Sequence, residues 1–599
     1  MPHVRARNIS SVLENLPELK SLNVSAPLTA MTIALAQRLD GLPRHLAMHP
    51  CAIVLSDGGL LDRTPLMASA SGYPMVVFDK DDVEAIGLLK LDVLGVRMQS
   101  AISYALTEIE RAQNEKVDID TVPIDDPATF DLIQSTRTLG MFQIESPGQR
   151  ELVGKLEPKT FTDLIIDISL FRPGPVKGDM ITPFLKARHG WSPAQIIHPD
   201  LYEILRDTEG VVVFHEQVIE IIATMTGASL ASADEKRRAL GDKAGQQEVC
   251  DWFFPAATAK GYELPVITQI WDLLRAFASF GFCKAHAAAF ALPTYQSAWL
   301  KTHYPAAFLA GVLTHDPGMY PKRLIVDEVR QMGLTVAPLD VNESDSVYRV
   351  EEKGAAIRIA LSTIEKISDA EIKSIIAGRP YTDLGDFVHR SGSSAPVTES
   401  AILTGAFDRL HTDVNRRDLL LYFSDLQRSP SKAISGAQMN LAFAAPTLIS
   451  SGLPDMKPAE IVRHEVERLG IDMSAHLIEF YSEFLNAIGA VRSSQLLTQR
   501  SGSSVLVAGI KVALQTPPVR SGKRVIFLTL DDGYGCSDSA FFTDMQADYA
   551  STLYSTSLLL VRGQTRRTGA RGISIRGTGA WDLRAAYESW RTKESTLAI

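Results

Sequence analysis

The stretch GLLKLDVLGV, residues 87–96, sets a single acid, Asp92, among apolar residues. A run this apolar and partly β-branched predicts a buried or half-buried strand. Because strand side chains alternate between faces, Leu89 and Leu91 should share one face, and Lys90 and Asp92 the other. A carboxylate is costly to bury without a partner or a metal ion. Two interpretations stay open here: an ion pair with Lys90 at a sheet edge, or a metal ligand whose fellow ligands lie elsewhere.

Length and composition predict a soluble globular protein with several domains. The chain has 599 residues, which is more than one hydrophobic core organises, and it is 45% hydrophobic and 22% charged. It has no uninterrupted run of about 18 apolar residues that would predict a membrane span. The N-terminal sequence MPHVRARNIS lacks the apolar core of a signal peptide.

The cysteines and the net charge bear on the cellular location and on nucleic-acid binding. The four cysteines are scattered without a CxxC pair, which predicts reduced thiols, no zinc cluster and a cytoplasmic location. They are Cys51, Cys250, Cys283 and Cys536. The formal net charge of −10 does not indicate nucleic-acid binding. One basic cleft can nevertheless lie within an acidic multidomain protein.

Local patterns change several times along the chain. Residues 1–47 have helical spacing, residues 48–98 are strand-like, and helical patterns dominate from about 99 to 425. A Ser/Pro/Ala-rich stretch that follows is typical of a linker. Residues 503–582 then alternate as five short strands with a helical pause between the third and the fourth. This pattern predicts a small Greek-key barrel of the OB type.

Long motifs in a fixed order carry a resemblance to a known family. They are FDKDDVEAIGLLKLDVLG (78–95), GMFQIESPGQRELVGKLEP (140–158), LFRPGP (170–175), FHEQV (214–218), DEKRRALGDK (234–243), FGFCKAHAAAFALPTYQSAWLKTHYPAAF (280–308) and LTGAFDRL (403–410). On these motifs the chain resembles the bacterial DNA polymerase III α-subunit family, including its error-prone relatives. The resemblance implies DNA-directed DNA synthesis, with dNTPs added to a primer on a DNA template in replication or translesion repair.

The resemblance also implies a multidomain α+β architecture. It has a partial polymerase palm, large α-helical fingers with a tandem helix-hairpin-helix, and a C-terminal OB-fold β-barrel. The expected divisions are the end of the thumb at 1–47, the second part of the palm at 48–98, the fingers at 99–340, the helix-hairpin-helix region at 341–425, a linker with the clamp-binding region at 426–502, the OB domain at 503–582 and a tail at 583–599.

Asp92 gains its metal-ligand interpretation from this resemblance. The family's palm holds two Mg2+ ions with three aspartates, and Asp92 matches the third, while Lys90 matches a lysine near the phosphates. The first two aspartates belong to a PDxDxDF motif, which does not occur in this sequence. One aspartate cannot ligate two magnesium ions. We therefore expect a chain that lacks the PHP domain and the first half of the palm, and that is inactive alone.

Two other aspartate pairs have the DxD spacing of the missing PDxDxDF motif. Asp118 and Asp120 match a polar turn early in the family's fingers. Asp79 and Asp81 match the loop that leads into the Asp92 strand. We expect neither pair to bind a catalytic metal ion.

The resemblance places cationic residues at the incoming nucleotide. Arg237 and Arg238 match a basic pair that faces the triphosphate, and planar guanidinium groups suit phosphate oxygens. Lys284 and His286 stand at the start of an apolar helix, and a helix start with nearby cations suits a phosphate. From spacing alone, an exposed helix face for the arginines and a capping role for His286 stay open. His215 departs from the family pattern and has no assigned role.

A sliding-clamp motif is predicted in the linker. QMNLAF, residues 438–443, fits the QxxLxF pattern of peptides that bind the bacterial sliding clamp. Gln438 would form hydrogen bonds at the rim, while Leu441 and Phe443 would fill an apolar pocket.

The remaining expectations concern DNA contacts. In the first hairpin, residues 357–376, the family's Gly-x-Gly turn is replaced by Lys-Ile-Ser, which weakens its expected grip on the duplex. The second half, residues 403–410, matches well. Basic loops at 520–524 and 562–572 could contact single-stranded DNA. Three barrel aromatics could stack on bases or lie in the core: Phe527, Phe541 and Phe542.

Two classes of function follow. The first is a DNA-directed DNA polymerase of the α-subunit type. The second is a non-catalytic protein that binds DNA and the sliding clamp, a remnant of such a polymerase.

Overall fold

The chain divides into two compact units, and the boundary lies between Arg97 and Met98. The computed structural model describes residues 6–16, 19, 26–43, 45–171, 180–241, 243–277, 282–428, 447–516, 524–567 and 571–592. None of the helices in these ranges combines the length and the apolar character needed to cross a membrane. All four cysteines carry free thiols.

In the described residues of the first unit, 1–97, there are two small antiparallel sheets and four α-helices. Strand β1 (Ala52–Leu55) pairs with β4 (Leu89–Asp92), and β2 (Leu66–Ala68) pairs with β3 (Pro74–Val76). Its helices α1 to α4 are Ile9–Asn15, Pro27–Arg38, Leu60–Arg63 and Lys80–Ala85.

Strand β4 forms as predicted and alternates as predicted, but its burial was predicted wrongly. Leu89 is 57% exposed and Leu91 is 43% exposed. They lie opposite Leu55 and Ile53 of β1, which are exposed as well. The sheet has only these two strands in the described part of the first unit, so no third strand or helical layer covers this apolar face. Such a two-stranded sheet contributes little stability by itself.

The second unit, residues 98–599, opens with a large helical region. Its core centres on the helix Lys284–His303, which packs against the helices Pro127–Gln134, Phe161–Leu170 and Pro305–His315. The helices α5 to α17 are Arg97–Gln113, Pro127–Gln134, Pro147–Leu156, Phe161–Leu170, Ile181–Arg188, Tyr202–Leu205, His215–Thr226, Leu230–Ala239, Lys243–Ala259, Leu264–Phe277, Lys284–His303, Pro305–His315 and Lys322–Gln331.

Local sequence explains why several of these helices begin where they do. Ser146 accepts a hydrogen bond from the Gln149 backbone and Pro147 occupies the first helical position of α7, a favourable start. Thr160 and Asp163 form a capping box at the start of α8. Helix α8 is buried along almost its whole length, which accounts for its apolar sequence.

A three-stranded sheet and four helices follow. The strand order is β5 (Thr335–Ala337), β7 (Ala356–Arg358) and β6 (Arg349–Glu351). Helices α18 to α21 are Asp369–Ala377, Leu384–Arg390, Ala395–Leu403 and Arg416–Arg428, and the next two, α22 and α23, are Pro458–Leu469 and Ser482–Ala487. Lys366 takes a left-handed φ of 66° in the turn before α18. The backbone there has a conformation that favours glycine, although the sequence has lysine.

The C-terminal part of the second unit is a closed five-stranded barrel. The strands pair in the order β10, β12, β11, β8, β9. A helix, α24 (Thr543–Ser555), lies between the third and fourth strands, as predicted, and α25 (Leu583–Arg591) follows the barrel. The strands β8 to β12 are Ser504–Gln515, Ile526–Asp531, Cys536–Phe541, Leu558–Arg567 and Ile573–Asp582.

The barrel is tied to the helical part of the same unit by a charged contact. Arg150 of α7 donates to both oxygens of Asp538 on β10, at 2.9 and 3.2 Å. Asp538 also accepts from the Thr529 hydroxyl at 2.6 Å. This ion pair joins residues that are 388 positions apart in the sequence.

Candidate functional site

Asp92 lies at the end of β4 and forms a close ion pair with Lys90. The Lys90 ammonium donates to both carboxylate oxygens, at 2.7 and 2.8 Å. His49 Nδ1 lies 4.0 Å from the same carboxylate. The hydrogen bond from Lys90 lowers the pKa of Asp92. Of the two interpretations left open by the sequence, the ion pair with Lys90 is present in the structure.

The surroundings of Asp92 do not form a two-metal site with the described residues alone. In those residues, no group of three His, Cys, Asp or Glu side chains converges on Asp92. Magnesium pairs in nucleotidyl transfer need several carboxylates around both ions. The described residues around Asp92 therefore supply one candidate ligand and do not by themselves fit a pair of magnesium ions.

The two misleading aspartate pairs have structural roles. Asp79 caps α4 by accepting hydrogen bonds from the backbone of Asp81 and Asp82. Asp118 accepts from the Asp120 backbone at 3.2 Å in a turn, and Asp120 lies 3.3 Å from the amide nitrogen of Gln296. Neither pair presents two free carboxylates to one point.

Arg237 and Arg238 share one carboxylate on helix α12. Asp234 accepts from Arg237 Nε at 2.8 Å and from Arg238 Nη2 at 2.8 Å. These hydrogen bonds lower the pKa of Asp234, with Arg237 as the main cause. The Arg238 side chain is 74% exposed, whereas Arg237 is half-buried. Asp234 therefore balances one of the two guanidinium charges, and the neighbouring Lys236 pairs with Glu248 at 3.0 Å.

Helices α11 and α15 start side by side. Phe214 and Phe282 form a parallel backbone bridge, and the His215 backbone donates to the Phe282 carbonyl at 2.9 Å. This bridge brings Glu216, in the first turn of α11, to the first turn of α15. The motif FHEQV thus positions Glu216 beside α15, a structural role that the sequence alone did not predict.

Glu216 occupies the start of α15. Both of its carboxylate oxygens accept from the Lys284 backbone at 2.9 Å, and one also accepts from Ala285 at 3.4 Å. Burial acts to raise the pKa of Glu216, but the hydrogen bond from Lys284 and its neighbours lowers it overall. In this arrangement the first-turn amides of α15 already bind a carboxylate, and the phosphate contact expected at this helix start stays a prediction.

The side chains of Lys284 and His286 remain available at this helix start. Lys284 Nζ lies 5.5 Å from the centre of the Phe214 ring, and both Lys284 and His286 are exposed. His286 packs edge-on to Phe282 at 5.3 Å and against Phe290 at 4.5 Å. His286 does not cap the helix, since the position before α15 is Cys283.

A buried charged cluster elsewhere in the second unit could be mistaken for a metal centre. Asp327, Asp472 and His476 offer ligand atoms within 4.8 Å of one another. Arg323 Nη2, however, lies 3.5 Å from both Asp472 Oδ2 and His476 Nε2. A guanidinium group therefore already occupies the position between two of the candidate ligands.

The histidine tautomer also disfavours a metal ion in this cluster. His476 Nδ1 accepts from the Ile478 backbone at 3.2 Å, so the ring proton belongs on Nε2. Nε2 then donates to Asp531 Oδ2 at 3.2 Å and is not free to bind a metal ion. Arg330 adds a second cation, whose Nη1 donates to Asp327 Oδ1 at 2.5 Å. The cluster is a buried hydrogen-bonded network of acidic and basic side chains that joins α17 to the barrel.

The structure separates the three barrel aromatics that were predicted to stack or to lie in the core. Phe541 is fully buried in the barrel core, and Phe527 is half-buried. Phe542 is exposed, and the Arg576 guanidinium lies 5.5 Å from its ring. Of the three, Phe542 is therefore the ring best placed to reach a base.

Two predicted contact segments fall outside the described residues. They are the clamp motif with Gln438, Leu441 and Phe443, and most of the 520–524 loop. Both stay predictions from the sequence.

Three family descriptions match the chain. "Bacterial DNA polymerase III alpha NTPase domain" matches residues 1–95, "Bacterial DNA polymerase III alpha subunit finger domain" matches residues 98–261, and "Helix-hairpin-helix motif" matches residues 333–419. The boundary between the first two falls where the structure divides into its two units.

Similar proteins carry names from the same group. The error-prone DNA polymerase of Symbiobacterium thermophilum is 33% identical over 92% of this chain and 55% of its own length. The DNA polymerase III subunit alpha of Pasteurella multocida is 33% identical over 92% and 50%, respectively. That of Escherichia coli is 32% identical over 97% and 53%. The chain thus spans about half the length of the curated relatives it matches.

Proposed function

Because this chain belongs to the bacterial DNA polymerase III α-subunit family, we propose that it serves DNA-directed DNA synthesis. The reaction is nucleotidyl transfer from a dNTP to a primer 3′-hydroxyl, in replication or in translesion repair. In this proposal the chain is a nucleotidyltransferase part that works in the bacterial cytoplasm. Its partners are primed template DNA, dNTPs and the sliding clamp.

The palm and the fingers contribute different chemistry in this proposal. Residues 48–98, as the second part of a palm, supply Asp92 as one of three Mg2+ ligands and Lys90 beside it. Residues 99–340, as fingers, supply Arg237, Arg238 and the Lys284–His286 pair for the triphosphate. The helix-hairpin-helix region binds the duplex, and the barrel, as an OB domain, binds single-stranded template at its basic loops.

One observation carries the proposal. The cations expected at the triphosphate all stand at ends of helices in the second unit, and three of the four are exposed: Arg238, Lys284 and His286. Asp234, the counter-charge of the two arginines, is a carboxylate that a triphosphate could replace. Charge-assisted bonds from arginine forks to phosphate oxygens are strong and geometrically specific.

The salt dependence of DNA binding tests the arginine assignment. Removal of one phosphate contact makes the slope of log K against log salt shallower by about 0.9. Changing Arg237 and Arg238 to Ala should therefore flatten the slope for primed DNA with a bound dNTP by roughly one to two units. Fluorescence anisotropy over a series of salt concentrations measures this slope.

A matched pair of substitutions controls for loss of surface charge. Arg275 and Arg463 are exposed and bind acidic residues one helical turn away, as Arg237 and Arg238 do. Changing both to Ala should leave the slope unchanged. If the two double variants behave alike, or if the chain does not bind primed DNA, the proposed function is wrong.

A second candidate function is favoured by the pairing of Asp92 with Lys90. A carboxylate neutralised by its neighbour suits a protein that binds DNA and the clamp without catalysis. Primer extension separates the two candidates. The PDxDxDF motif is missing from the 599 residues, so we expect no extension by this chain alone under either candidate. Extension after addition of a relative's palm segment would support the polymerase.

A further inference from the structure

A cavity of about 440 Å3 lies in the second unit, where three segments meet. The segments are residues 140–146 before α7, the end of α8, and the turn at 317–319 that follows α16. This volume falls within the range of small-molecule sites, about 300–1,000 Å3. We call it the Phe142 cavity.

Aromatic rings and thioether side chains form one part of the wall of the Phe142 cavity. Phe142 and Phe171 contribute rings, and Met141 and Met319 contribute flexible thioether side chains. Gly148 makes room for one wall, because a Cβ atom there would overlap the Phe171 ring. Aromatic rings beside methionines suit a planar ligand that can be held face-on.

The edges of the cavity carry polar groups that lack partners. The Gln149 Oε1 atom is buried and accepts no hydrogen bond. The Gln143 amide makes no hydrogen bond to the described residues, and Gln143 has a left-handed φ of 64°. Such strained non-glycine backbone clusters at functional sites. A buried acceptor without a donor points to a ligand that donates.

Glu145 fixes the cavity's shape and charge. Its carboxylate accepts from the Gly140 backbone at 3.1 Å and from the Met319 backbone at 2.8 Å, which joins two of the three segments. None of the described residues that line the cavity is lysine or arginine. Among the described lining residues the charged side chain is therefore a carboxylate, which favours a planar ligand with N–H donors on its edge over an anion.

The cavity lies one side chain away from the proposed nucleotide site. Phe142 stacks on Phe290 with ring centres 5.6 Å apart and an angle of 17° between the rings. Phe290 in turn packs against His286 at 4.5 Å. A continuous aromatic row thus connects the cavity wall to a residue proposed to contact the triphosphate.

We propose that the Phe142 cavity receives one unstacked nucleobase of the template strand, from its single-stranded part ahead of the primer end. The inference rests on the proposed function. A nucleobase has apolar faces for the rings, N–H donors for Gln149 and Glu145, and polar edge atoms for the Gln143 amide. A base inside the duplex has its faces stacked and its Watson–Crick edge paired, so only an unpaired template base can enter.

A series of primer–templates with an abasic site at successive overhang positions tests this inference. The full chain binds primer–templates in which one overhang position at a time lacks its base. At one position the missing base should weaken binding about fivefold or more, the lower range of base–aromatic stacking. Phe171→Ala and Gln143→Gly should abolish that position-specific penalty. Gln143→Gly suits the left-handed backbone, so it keeps the fold even if Phe171→Ala does not.

Controls separate this inference from the proposed function. Tyr202→Ala removes an exposed ring outside the cavity and should keep the penalty. If the chain binds primed DNA with its arginine-dependent salt slope but shows no position-specific penalty, the inference fails and the proposed function stands. A penalty that survives both cavity variants also overturns it. A free deoxynucleoside that raises the melting temperature in a Gln143-dependent way, without any abasic penalty, assigns the cavity to a free base instead.

Discussion

Asp92 and Lys90 lie two positions apart on one strand, and their contact is exposed to solvent. An exposed ion pair contributes little to stability because water and salt screen it. A metal-ligating carboxylate, by contrast, is indispensable to the reaction and nearly irrelevant to folding. The two roles of Asp92 therefore predict opposite patterns of mutational effect.

The first residue-scale prediction compares Asp92→Asn with Lys90→Met. Both variants should melt close to the wild-type temperature. In a fusion that adds a relative's PDxDxDF-bearing palm segment, Asp92→Asn should lower single-turnover incorporation by several orders of magnitude, since it removes a metal ligand. Near-normal incorporation by a folded Asp92→Asn fusion would refute the metal role. An equal loss in both variants that follows their stability would assign Asp92 to the ion pair alone.

At the scale of elements, the helix-hairpin-helix region shows how a turn keeps its shape without its usual residue. Lys366 adopts the left-handed conformation that the family's glycine would adopt. In the second half, Gly405 has a φ of 87°, and a Cβ there would overlap the Arg416 guanidinium. The conformation of the second turn therefore favours glycine, and a larger residue there would also displace the Arg416 side chain, whereas the first turn holds lysine with some backbone strain.

The element-scale prediction concerns QMNLAF, residues 438–443, whose sequence alone supports it. Changing Leu441 and Phe443 to Ala should weaken binding of the 599-residue chain to the sliding clamp by about 2 kcal/mol, roughly thirtyfold, if they are the buried anchors. Met439→Ala with Asn440→Ala is the matched control within the same segment and should change little. Titration against the clamp by calorimetry measures both. Equal binding by the wild-type chain, the Leu441/Phe443 variant and the control variant would show that QMNLAF is not the clamp-binding motif.

At the scale of the whole second unit, the barrel and the helical region are joined by buried charges. Asp327 of α17 lies beside His476, Asp472 and Asp531, with Arg323 and Arg330 as the cations. Burial, with Asp531 and Asp472 close by, raises the pKa of Asp327 well above its usual range. Burial also acts to raise the pKa of Asp531, but the hydrogen bond from His476 lowers it below its usual value.

These shifts predict how stability depends on pH. A carboxyl with a raised pKa in the folded state contributes stability that is complete below about pH 4 and is lost as pH rises through the folded pKa. Asp327→Asn is neutral at every pH. Its free energy of unfolding, relative to wild type, should therefore rise between about pH 5 and 8, by at most about 1.4 kcal/mol per pH unit.

Urea denaturation at several pH values measures this dependence. Asp531 titrates in the folded state below this window, so it does not obscure the effect. Asp548→Asn, an exposed substitution on α24, is the control and should follow the wild-type curve. If the Asp327→Asn curve also runs parallel to wild type across the window, Asp327 is ionised in the folded protein and the proton assignment is wrong.

Local sequence determined much of this protein. Alternating residues in the C-terminal part predicted five strands and the helix between the third and fourth, because period-two alternation and turn residues are local properties. The run around Asp92 likewise predicted strand β4 and its two faces. Motif order located Arg237, Arg238, Lys284 and His286, although spacing alone left their roles open.

Tertiary structure decided what those residues touch. The exposure of Leu89 and Leu91 depends on which elements pack over the sheet, and the strand's own sequence does not encode that. Glu216 reaches the start of α15 across 68 residues, and its carboxylate binds a backbone amide at the helix start where the sequence predicts a phosphate. The Phe142 cavity and the Asp327 network likewise join distant segments. Side-chain contacts of this kind arise from packing between elements, whereas the periodicity of a sequence specifies only the elements themselves.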